Sequence, residues 1–393
     1  MLRVLTLSTL FPNASAPNLG VFVERQTLGL AAHPNVDLRL IAPIGLPPWP
    51  LDRLGHYAPL AKLPLCESWK GVPTLRPRFV NVPMTAGRFH PSALVRALRP
   101  ILHEVRRDFA FDVIDAEFFF PDGPAAVRLG HEFDVPVSVK ARGADIHHWG
   151  RRGPTASQVI AAGQAADGLL AVSSALRDDM IGLGMPRDRI VVHRTGVDGD
   201  HFAPRDRVAE KAALGVAGPL VLSVGALIPR KGHAIVIDAV ARLPGATLLI
   251  AGEGPERAAL ESQIAALGLT GRVRLLGSIA HDRLPALFAA ADVMALASSS
   301  EGLANAWVEA LSSGTPIVIT AAGGARETVD RPEAGRVVDR TAAAFTNAIA
   351  DLLLLPSDPA AVRAAAARFS WQANTDQLYA HLTGLVERAG VKN

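Results

Sequence analysis

The sequence is poor in cysteine and in long apolar runs, and each shortage excludes a class of protein. Cys66 is the only cysteine among 393 residues, which excludes a disulfide framework and any zinc or iron–sulfur site built from several thiolates. No run of 18 apolar residues occurs, so no transmembrane helix is predicted. The net charge of +3 is too small to indicate a protein that binds nucleic acid.

Hydrophobic residues nevertheless make up 49% of the chain and charged residues 20%, which is an ordinary globular composition. At roughly 150 residues per domain, the length predicts two or three domains. The N-terminal segment imitates a short signal peptide, with Arg3, an apolar stretch and an A-x-A motif at 14–16. Because hydroxyl residues interrupt the apolar stretch, we predict a buried first strand over 2–7 and a cytoplasmic location.

Apolar, strand-like runs alternate with amphipathic, helix-like stretches along most of the chain. Strands are predicted over 2–7, 36–42, 111–116, 135–141 and 169–172, and then over 220–224, 247–251, 273–276, 293–297, 316–320 and 335–338. This alternation is typical of βαβ units and parallel sheets. A stretch rich in Gly, Asp and Pro over 196–219 predicts a linker with room for a short helix.

We therefore predict two doubly wound α/β domains that face each other across a cleft. Residues 1–197 form the first domain, joined by a last helix over 371–393, and residues 198–370 form the second. Ligands of such sheets bind at the carboxyl ends of the strands, which is where candidate site residues should be sought.

Positive charge is concentrated in one stretch of the N-terminal half. Residues 68–107 contain eight basic side chains and one acidic side chain, Glu104. The stretch forms either a solvated surface or a patch that binds an anionic partner, such as a lipid headgroup or a phosphate. The apolar segment 44–51 either packs as a loop or dips into a membrane surface beside the patch.

Two cations stand where a strand gives way to a helix in the second domain. Arg230 and Lys231 follow the strand that is predicted to end at Val224, and Gly232 opens the next helix. Helix N-termini bind anions through free N–H groups and the macrodipole, and two side-chain cations add to that attraction. The segment indicates either a phosphate or diphosphate site or a basic surface turn, and it lacks the P-loop pattern.

The segment over 301–310 places carboxylates on both sides of a predicted helix start. Glu301 lies in the loop after a strand, the helix is predicted to begin near Asn305, and Glu309 follows about one turn later. A phosphate above this helix start would meet free amides, while sugar hydroxyls reach the carboxylates. The glycines of the loop Gly252–Arg257 would let a ligand approach the backbone closely, although a plain turn is the simpler interpretation.

Together these residues resemble the retaining glycosyltransferases of glycosyltransferase family 4, which have the GT-B fold, and within that family the enzymes that build bacterial surface polysaccharides. The resemblance covers nearly the whole chain and is strongest over 170–330. It rests on the Arg230-Lys231-Gly232 turn, the Gly252–Arg257 loop, the E-x7-E pair and shorter motifs at 20–24, 121–123, 142–145, 172–174, 196–198, 275–277 and 323–327.

The resemblance implies a role in donor binding for many of these residues. Arg230 and Lys231 would hold the donor diphosphate, and Gly20 would close over it from the other domain. Glu301 would hold the donor sugar, and Glu309 would bind the ribose hydroxyls. Four backbone amides at the helix start would also hold the sugar, those of Gly302, Leu303, Ala304 and Asn305.

The resemblance also assigns the nucleobase side and the acceptor side. The two loops that would flank the nucleobase contain Gly252, Gly254, Leu276 and Ser278. The loops on the acceptor side contain Asp122, Arg142 and Asp145. Two side-chain cations and helix amides would meet the negative charge that develops on the diphosphate, so we expect no metal and no further cofactor. Asp198 and Asp200 could bind Mg²⁺ or Mn²⁺, but they fall in the predicted linker, where the family places no metal.

One departure from the family pattern concerns the segment before Pro121-Asp122-Gly123. The family usually has His-x-His there, whereas this chain has Asp115 and Glu117, and the resemblance places Glu117 near the anomeric carbon. Three interpretations stay open for Glu117: a hydrogen bond to the sugar, a general base for the acceptor hydroxyl, or a nucleophile in a two-step mechanism. We count it as a candidate catalytic residue together with Arg230, Lys231 and Glu301.

We therefore expect a cytoplasmic, metal-independent, retaining hexosyltransferase. It would move a sugar from a nucleotide-diphosphate sugar to a hydroxyl of a polysaccharide or a lipid-linked glycan. The protein could also contact an anionic membrane peripherally. Two alternatives remain. One is a hydrolase or epimerase of nucleotide sugars on the same fold, and the other is a protein that binds a nucleotide sugar without catalysis.

Overall fold

The computed structural model describes residues 1–390, which form two compact units. One unit comprises residues 1–196 and the C-terminal helix from Trp371, and the other comprises Val197–Ser370. Each unit is built on an open sheet of mainly parallel strands with helices between them, which confirms the α/β class that the alternating pattern predicts. No helix in this range is long and apolar enough to span a bilayer.

The first unit contains the following elements. Its strands are β1 (Leu2–Leu7), β2 (Val36–Ile41), β3 (Ile44–Leu46), β4 (Cys66–Trp69), β5 (Val72–Leu75), β6 (Arg78–Val80), β7 (Val113–Ala116), β8 (Val137–Ala141), β9 (Gly168–Ala171) and β10 (Ile190–Val192). Its helices are α1 (Val21–Ala31), α2 (Tyr57–Ala61), α3 (His90–Asp108), α4 (Asp122–Phe133), α5 (Ala144–His147), α6 (Gly153–Ala165), α7 (Ser174–Gly182) and, at the C-terminus, α16 (Trp371–Gly390).

The main sheet of this unit has the strand order β10-β9-β8-β7-β1-β2-β5-β4. The β4 and β5 strands pair antiparallel, and the other neighbours are parallel. Strand β1 lies between β2 and β7, so the loops after β1 and β7 flank the point where the strand order reverses. The apolar core joins these strands to α1 and to α16, which contributes Leu378, Leu382 and Leu385.

The second unit contains the remaining elements. Its strands are β11 (Leu220–Val224), β12 (Thr247–Ala251), β13 (Val273–Gly277), β14 (Val293–Leu296), β15 (Ile317–Thr320) and β16 (Gly335–Val338). Its helices are α8 (Arg207–Ala213), α9 (His233–Ala241), α10 (Arg257–Ala266), α11 (Leu284–Ala290), α12 (Asn305–Ser312), α13 (Ala325–Thr328), α14 (Ala342–Leu354) and α15 (Pro359–Ala364). The sheet order is β13-β12-β11-β14-β15-β16, with every pair parallel.

The segment between β2 and α3 differs from its prediction. Residues 44–51 are not simply a packed loop, because β3 pairs with β6 in a small parallel sheet. The β4 and β5 strands then extend the main sheet. Strands of three or four residues contain too few alternations to be seen in a sequence, so their pairing partners decide whether they form. The predicted linker contains α8, which the Asp206 carboxylate caps by accepting hydrogen bonds from two backbone amides.

The basic stretch over 68–107 uses much of its charge within the first unit. Four of its cations form ion pairs: Lys70 with Glu24, Arg76 with Glu67, Arg99 with Glu132 and Arg107 with Glu104. Arg76 is fully buried, and Arg78 donates to the carbonyls of Arg76 and Leu63. Three of the four acidic partners lie outside the stretch, so the local sequence overstates its free positive charge.

Candidate active site

In the second unit, the candidate donor residues lie in loops at the carboxyl edge of the sheet. Arg230 and Lys231 follow β11, Glu301 follows β14, and these two strands are neighbours in the sheet. The chain proceeds outward from β11 to β12 on one side and from β14 to β15 on the other, so the loops after β11 and β14 diverge and leave a crevice. The topology thereby brings together side chains that are 70 positions apart in the sequence.

The carboxylate of Glu301 is held by both cations of the Arg230-Lys231 turn. Its Oε1 lies 2.5 Å from Lys231 Nζ and accepts a hydrogen bond of 2.7 Å from Ser298 Oγ. Its Oε2 lies 3.3 Å from Arg230 Nη1, which also donates to the Ser300 carbonyl. Lys231 and Glu301 are almost buried, and Arg230 is more exposed. Because one carboxylate faces two cations, the cluster keeps a net positive charge that suits an anion.

The turn that contains these cations is fixed by a close backbone approach. Gly232, between the Pro229–Lys231 turn and α9, has φ +67°, and a Cβ there would lie 2.2 Å from the Ala297 carbonyl oxygen. The loop after β12 approaches in the same way, because a Cβ on Gly252 would lie 1.9 Å from the Gly225 carbonyl oxygen. Glycine is required at both positions by this contact, which positions the loops after β11, β12 and β14 against one another.

Two side chains that the sequence did not single out support the same turn. His233 accepts from Ser223 Oγ at Nδ1 and donates from Nε2 to the Ala226 carbonyl, and burial lowers its pKa to about 4, so the ring is neutral. The Arg340 guanidinium donates to the carbonyls of Ala297 and Pro229. A buried histidine ten residues after a strand serine carries no recognisable motif, so only the folded loop identifies its role.

The helix start after Glu301 agrees with the prediction. Helix α12 begins at Asn305, Gly302 to Ala304 are buried in the preceding loop, and the described residues provide no side-chain cap. The first-turn amides therefore point toward the carboxyl edge of the sheet without a competing side chain. Glu309 lies one turn into the helix, where its Oε1 is 3.0 Å from His281 Nε2.

The loops proposed for the nucleobase side also come together. The Gly252 amide donates to the Gly277 carbonyl, and the Ser278 amide donates to Glu253 Oε1. Leu276 lies at the end of β13 and is partly buried, whereas Ser278 is exposed just after it. Gly254 packs on the backbone of Leu227. The loops after β12 and β13 thus border the crevice on the side away from β15.

In the first unit, Glu117 is a buried carboxylate, and both of its oxygens accept hydrogen bonds. It follows β7 and is 1% exposed, with Oε1 accepting from Gln26 Nε2 and Oε2 accepting from Arg142 Nη2. Arg142 Nε also donates to the Glu117 carbonyl, and its guanidinium lies over the Phe22 ring, 4.9 Å from the centroid. Arg142, which the resemblance places in an acceptor-side loop, therefore also holds the Glu117 carboxylate.

A second layer of buried charge surrounds this carboxylate. Lys140 Nζ donates to Gln26 Oε1 and to His193 Nδ1, and His193 Nε2 donates to the Asn374 carbonyl on α16. Burial lowers the pKa of Lys140 to about 7 and lowers the pKa of His193 well below its usual range. Burial beside Glu117 raises the pKa of Asp115 well above its usual range.

Asp122 and Asp145 are buried acceptors for backbone amides. Asp122 accepts from the Thr9 amide at 2.8 Å, and burial raises its pKa to about 7. Asp145 accepts from the amides of Phe119, Arg142, Gly143 and Ile146, and burial raises its pKa as well. Both carboxyl groups hold loops in place, and the side chains themselves have no exposed surface. Gly20 directly precedes α1 and packs on the backbone of Leu10.

The described residues offer little that could hold a metal ion. No group of three or more His, Cys, Asp or Glu side chains converges anywhere over 1–390. Asp198 accepts from the His201 amide at 3.0 Å and belongs to a local turn.

Comparisons with known proteins identify the family. A family model described as Glycosyltransferase Family 4 matches residues 39–201, and one described as Glycosyl transferases group 1 matches residues 205–369. The D-inositol 3-phosphate glycosyltransferases of Mycobacterium tuberculosis and Mycobacterium bovis are 39% identical to this chain over 208 residues. That match spans 49% of this chain and 43% of the relatives' length, so less than half of those proteins is represented.

Solved structures agree on the fold. Sucrose-phosphate synthase from Thermosynechococcus elongatus matches with a TM-score of 0.80 at 22% identity, covering 98% of this chain and 100% of that one. The Anabaena protein HepE, solved in complex with UDP, matches with a TM-score of 0.75 at 21% identity and the same coverage. These findings confirm the resemblance seen in the sequence, and the chain therefore belongs to glycosyltransferase family 4, with the GT-B fold of two Rossmann-like domains.

Proposed function

We propose that this protein transfers a sugar from a nucleotide-diphosphate sugar to an acceptor hydroxyl, with retention of the anomeric configuration. The observation that carries the proposal is the meeting of Arg230, Lys231 and Glu301 at the switch point of the second sheet, beside the uncapped start of α12. The 39% identity to D-inositol 3-phosphate glycosyltransferases supports transfer chemistry, and the UDP bound to HepE supports a nucleotide donor.

In this proposal the donor diphosphate replaces the Glu301 carboxylate as the partner of the two cations. Lys231 and Arg230 turn from the carboxylate to the phosphate oxygens, and Glu301 becomes free to accept hydrogen bonds from the donor sugar. The bond between the anomeric carbon and the phosphate oxygen then breaks, and its electron pair stays on the diphosphate. Fixed cations and amides stabilise that charge most strongly in the transition state, which is what accelerates the reaction.

The acceptor hydroxyl attacks on the same face and gives its proton to the departing diphosphate, so no protein nucleophile is required. The environment of Glu117 argues against a nucleophilic role, which is one of the three interpretations left open for this residue. A nucleophile needs an exposed oxygen, but Glu117 is 1% exposed and Gln26 and Arg142 each occupy one of its oxygens. We propose that Glu117 orients the loop after β7 and contributes at most a hydrogen bond to the sugar.

We further propose that catalysis is metal-independent and uses no additional cofactor. Arg230 and Lys231 supply the positive charge at the place where a divalent cation would otherwise be needed. Full activity after treatment with EDTA and gel filtration would agree with this proposal, and restoration of lost activity by Mg²⁺ or Mn²⁺ would refute it.

The acceptor is proposed to be a polysaccharide or a lipid-linked glycan, reached at an anionic membrane surface. Two loops leave the same edge of the β3–β6 sheet, because Leu46 and Val80 are paired at the ends of parallel strands. These loops expose six large apolar side chains: Trp49, Leu51, Leu54, Val82, Met84 and Phe89. Arg53 and Arg88 are exposed among them, which is the combination that favours an anionic lipid interface.

Vesicle flotation tests the membrane contact separately from sugar transfer. We expect the protein to float with vesicles containing phosphatidylglycerol at low salt, and Trp49→Ser/Met84→Ser to reduce the bound fraction. The matched control, Leu354→Ser/Leu355→Ser, removes two large apolar side chains of the second unit that are also highly exposed, and it should leave binding unchanged. No binding by the wild type, or equal losses in both variants, would refute the membrane contact.

The transfer function is tested by substituting Lys231. We expect Lys231→Met to lower transfer by two orders of magnitude or more, since removing one donor to the transition-state charge typically costs about 10²–10³ in kcat. Lys211→Met is the matched control, because Lys211 makes an ion pair of the same 2.5 Å length with Asp292 before β14, at the other edge of the sheet. Equal losses in both variants would indicate a structural role for Lys231.

The two alternative functions give different results in the same assay. A hydrolase or epimerase would turn over the donor without any added acceptor, and a binding protein would bind the donor without turnover. A panel of nucleotide sugars screened by thermal shift identifies the donor first. Failure of every nucleoside diphosphate to stabilise the protein would refute the proposed function.

A further inference from the structure

The carboxylate of Glu309 has a partner that neither the sequence motif nor the family comparison assigns. His281 lies in a short turn, His281–Arg283, after β13, and its Nε2 is 3.0 Å from Glu309 Oε1. Both side chains are largely but not fully buried, with 25% and 14% of their surfaces exposed. Both side chains therefore keep some surface that a ligand can reach.

The chemistry of this contact determines which of the two atoms carries the hydrogen. An ionised carboxylate only accepts hydrogen bonds, so in this contact His281 Nε2 carries the hydrogen and the imidazole donates to Oε1. The donation engages Oε1 and not Oε2, and it restricts rotation of the carboxylate about its terminal bond. An acceptor that is already oriented loses less entropy when it binds a hydroxyl than a freely rotating one.

The ring of His281 is itself held against the helix that carries Glu309. The Phe202 ring meets it edge-on with centroids 5.2 Å apart, and the His201 ring is stacked at 6.1 Å. Phe202 is fully buried, and its carbonyl accepts from Ser312 Oγ on α12, one turn after Glu309. The imidazole and the carboxylate are thus both anchored to α12, which keeps their relative geometry constant when a ligand binds.

We propose that His281 is a positioning residue that orients Glu309 toward the ribose of the donor and makes donor affinity depend on the ribose hydroxyls. The inference rests on the proposed function, in which Glu309 binds those hydroxyls. His281 occupies one carboxylate oxygen and aims the other, so the pair favours a ribonucleotide over a nucleotide that lacks both hydroxyls.

Calorimetric titration of the full-length protein tests this role with defined probes. UDP, ADP and GDP are each titrated against the corresponding 2′,3′-dideoxynucleoside diphosphate. For the base that binds best, we expect the wild type to prefer the ribonucleotide, and His281→Ala to weaken ribonucleotide binding by about 5- to 30-fold, the usual range for a lost oriented hydrogen bond. Binding of the dideoxynucleotide should change less than about twofold, because it has no hydroxyl for Glu309 to accept.

Two variants separate the hydrogen bond from packing. His281→Gln retains an N–H donor and should recover part of the discrimination, whereas His201→Ala removes the stacked ring but no contact with Glu309 and should keep it. Thermal denaturation verifies that each variant is folded. A folded His281→Ala with the wild-type preference, or a loss of preference in His201→Ala as large as in His281→Ala, would overturn the inference.

The same experiment distinguishes a failure of the proposed function from a failure of the inference about His281. If none of the three ribonucleotides binds the wild type, the donor site itself is wrong. If the wild type binds ribonucleotides and dideoxynucleotides equally, Glu309 is not the ribose ligand, and His281 has no such role. If the wild type prefers the ribonucleotide and the His281 variants keep that preference, the donor site is supported and the positioning role of His281 is refuted.

Discussion

Replacing Arg142 by methionine should destabilise the first unit, because it leaves the Glu117 carboxylate buried without its cation. The two side chains are 5% and 1% exposed, and the guanidinium donates both to the carboxylate and to the Glu117 carbonyl. Removing one partner of a buried ion pair typically costs about 3–5 kcal/mol. For a unit of this size, each kcal/mol lowers the melting temperature by about 2–4 °C, so we expect a decrease of roughly 6–20 °C.

Thermal denaturation followed by circular dichroism measures the decrease, and amide hydrogen exchange locates it. Because the chain has two units, one global free energy of unfolding is not defined, and exchange in β7 and β8 is the sharper readout. The matched control is Arg107→Met, whose pair with Glu104 is 75% and 70% exposed. An exposed pair contributes about 0–1 kcal/mol, so this variant should melt within a few degrees of the wild type.

The double variant Glu117→Gln/Arg142→Met decides whether the stability lost in Arg142→Met is due to the unpaired charge of Glu117. It removes both members of the pair, so it should be clearly more stable than Arg142→Met alone. If the double variant is no more stable than the single one, the lost stability comes from packing around Arg142. If Arg142→Met has the melting temperature of the wild type, Glu117 is not a buried carboxylate that depends on Arg142 as its contacts indicate.

Two further predictions concern a buried acid and a glycine. The folded protein holds the pKa of Asp122 at about 7, above the value of 3.8 for the free side chain, so the native state binds more protons between these pH values and its stability falls as pH rises through them. Asp122→Asn should abolish that fall, and a wild-type melting temperature that does not decrease between pH 4 and pH 7 more than that of the variant would contradict it. Gly232→Ala places a Cβ 2.2 Å from the Ala297 carbonyl oxygen at φ +67°. It should weaken nucleoside diphosphate binding at least tenfold by displacing the Arg230-Lys231 turn, while Gly268→Ala, also at positive φ (+66°) but with open space around its Cβ, should leave binding intact.

Much of the site could be predicted because it is local in the sequence. The Arg230-Lys231-Gly232 turn, the loop before α12 and the position of Glu309 each follow from a strand end and a helix start a few residues apart. The apolar runs gave the core strands to within about two residues, since a buried parallel strand must be apolar on both faces. The apolar pattern does not reveal the small β3–β6 sheet or the strands β4, β5 and β10 of the main sheet, because three or four residues are too few for a pattern.

The partners of these residues could not be predicted, because they come from distant parts of the chain. Nothing near Glu117 in the sequence reveals that Gln26 and Arg142 occupy its oxygens or that Lys140 lies behind them. The ion pairs of the basic stretch over 68–107 are equally hidden in the sequence, since Glu24 and Glu132 contact two of its cations from other elements. His281 and His233 gave no signal at all, because an isolated histidine has no informative neighbours along the chain.

The sequence by itself thus determined the class of fold, the family and the residues that carry charge at strand ends. Local hydrophobic periodicity and short motifs are sufficient for these, because they depend on neighbours within a few positions. Only the tertiary structure decided which charges are paired, which are buried and which remain for a ligand. Those properties depend on the packing of strands such as β11 and β14, which bring Lys231 and Glu301 to within 2.5 Å across 70 residues of chain.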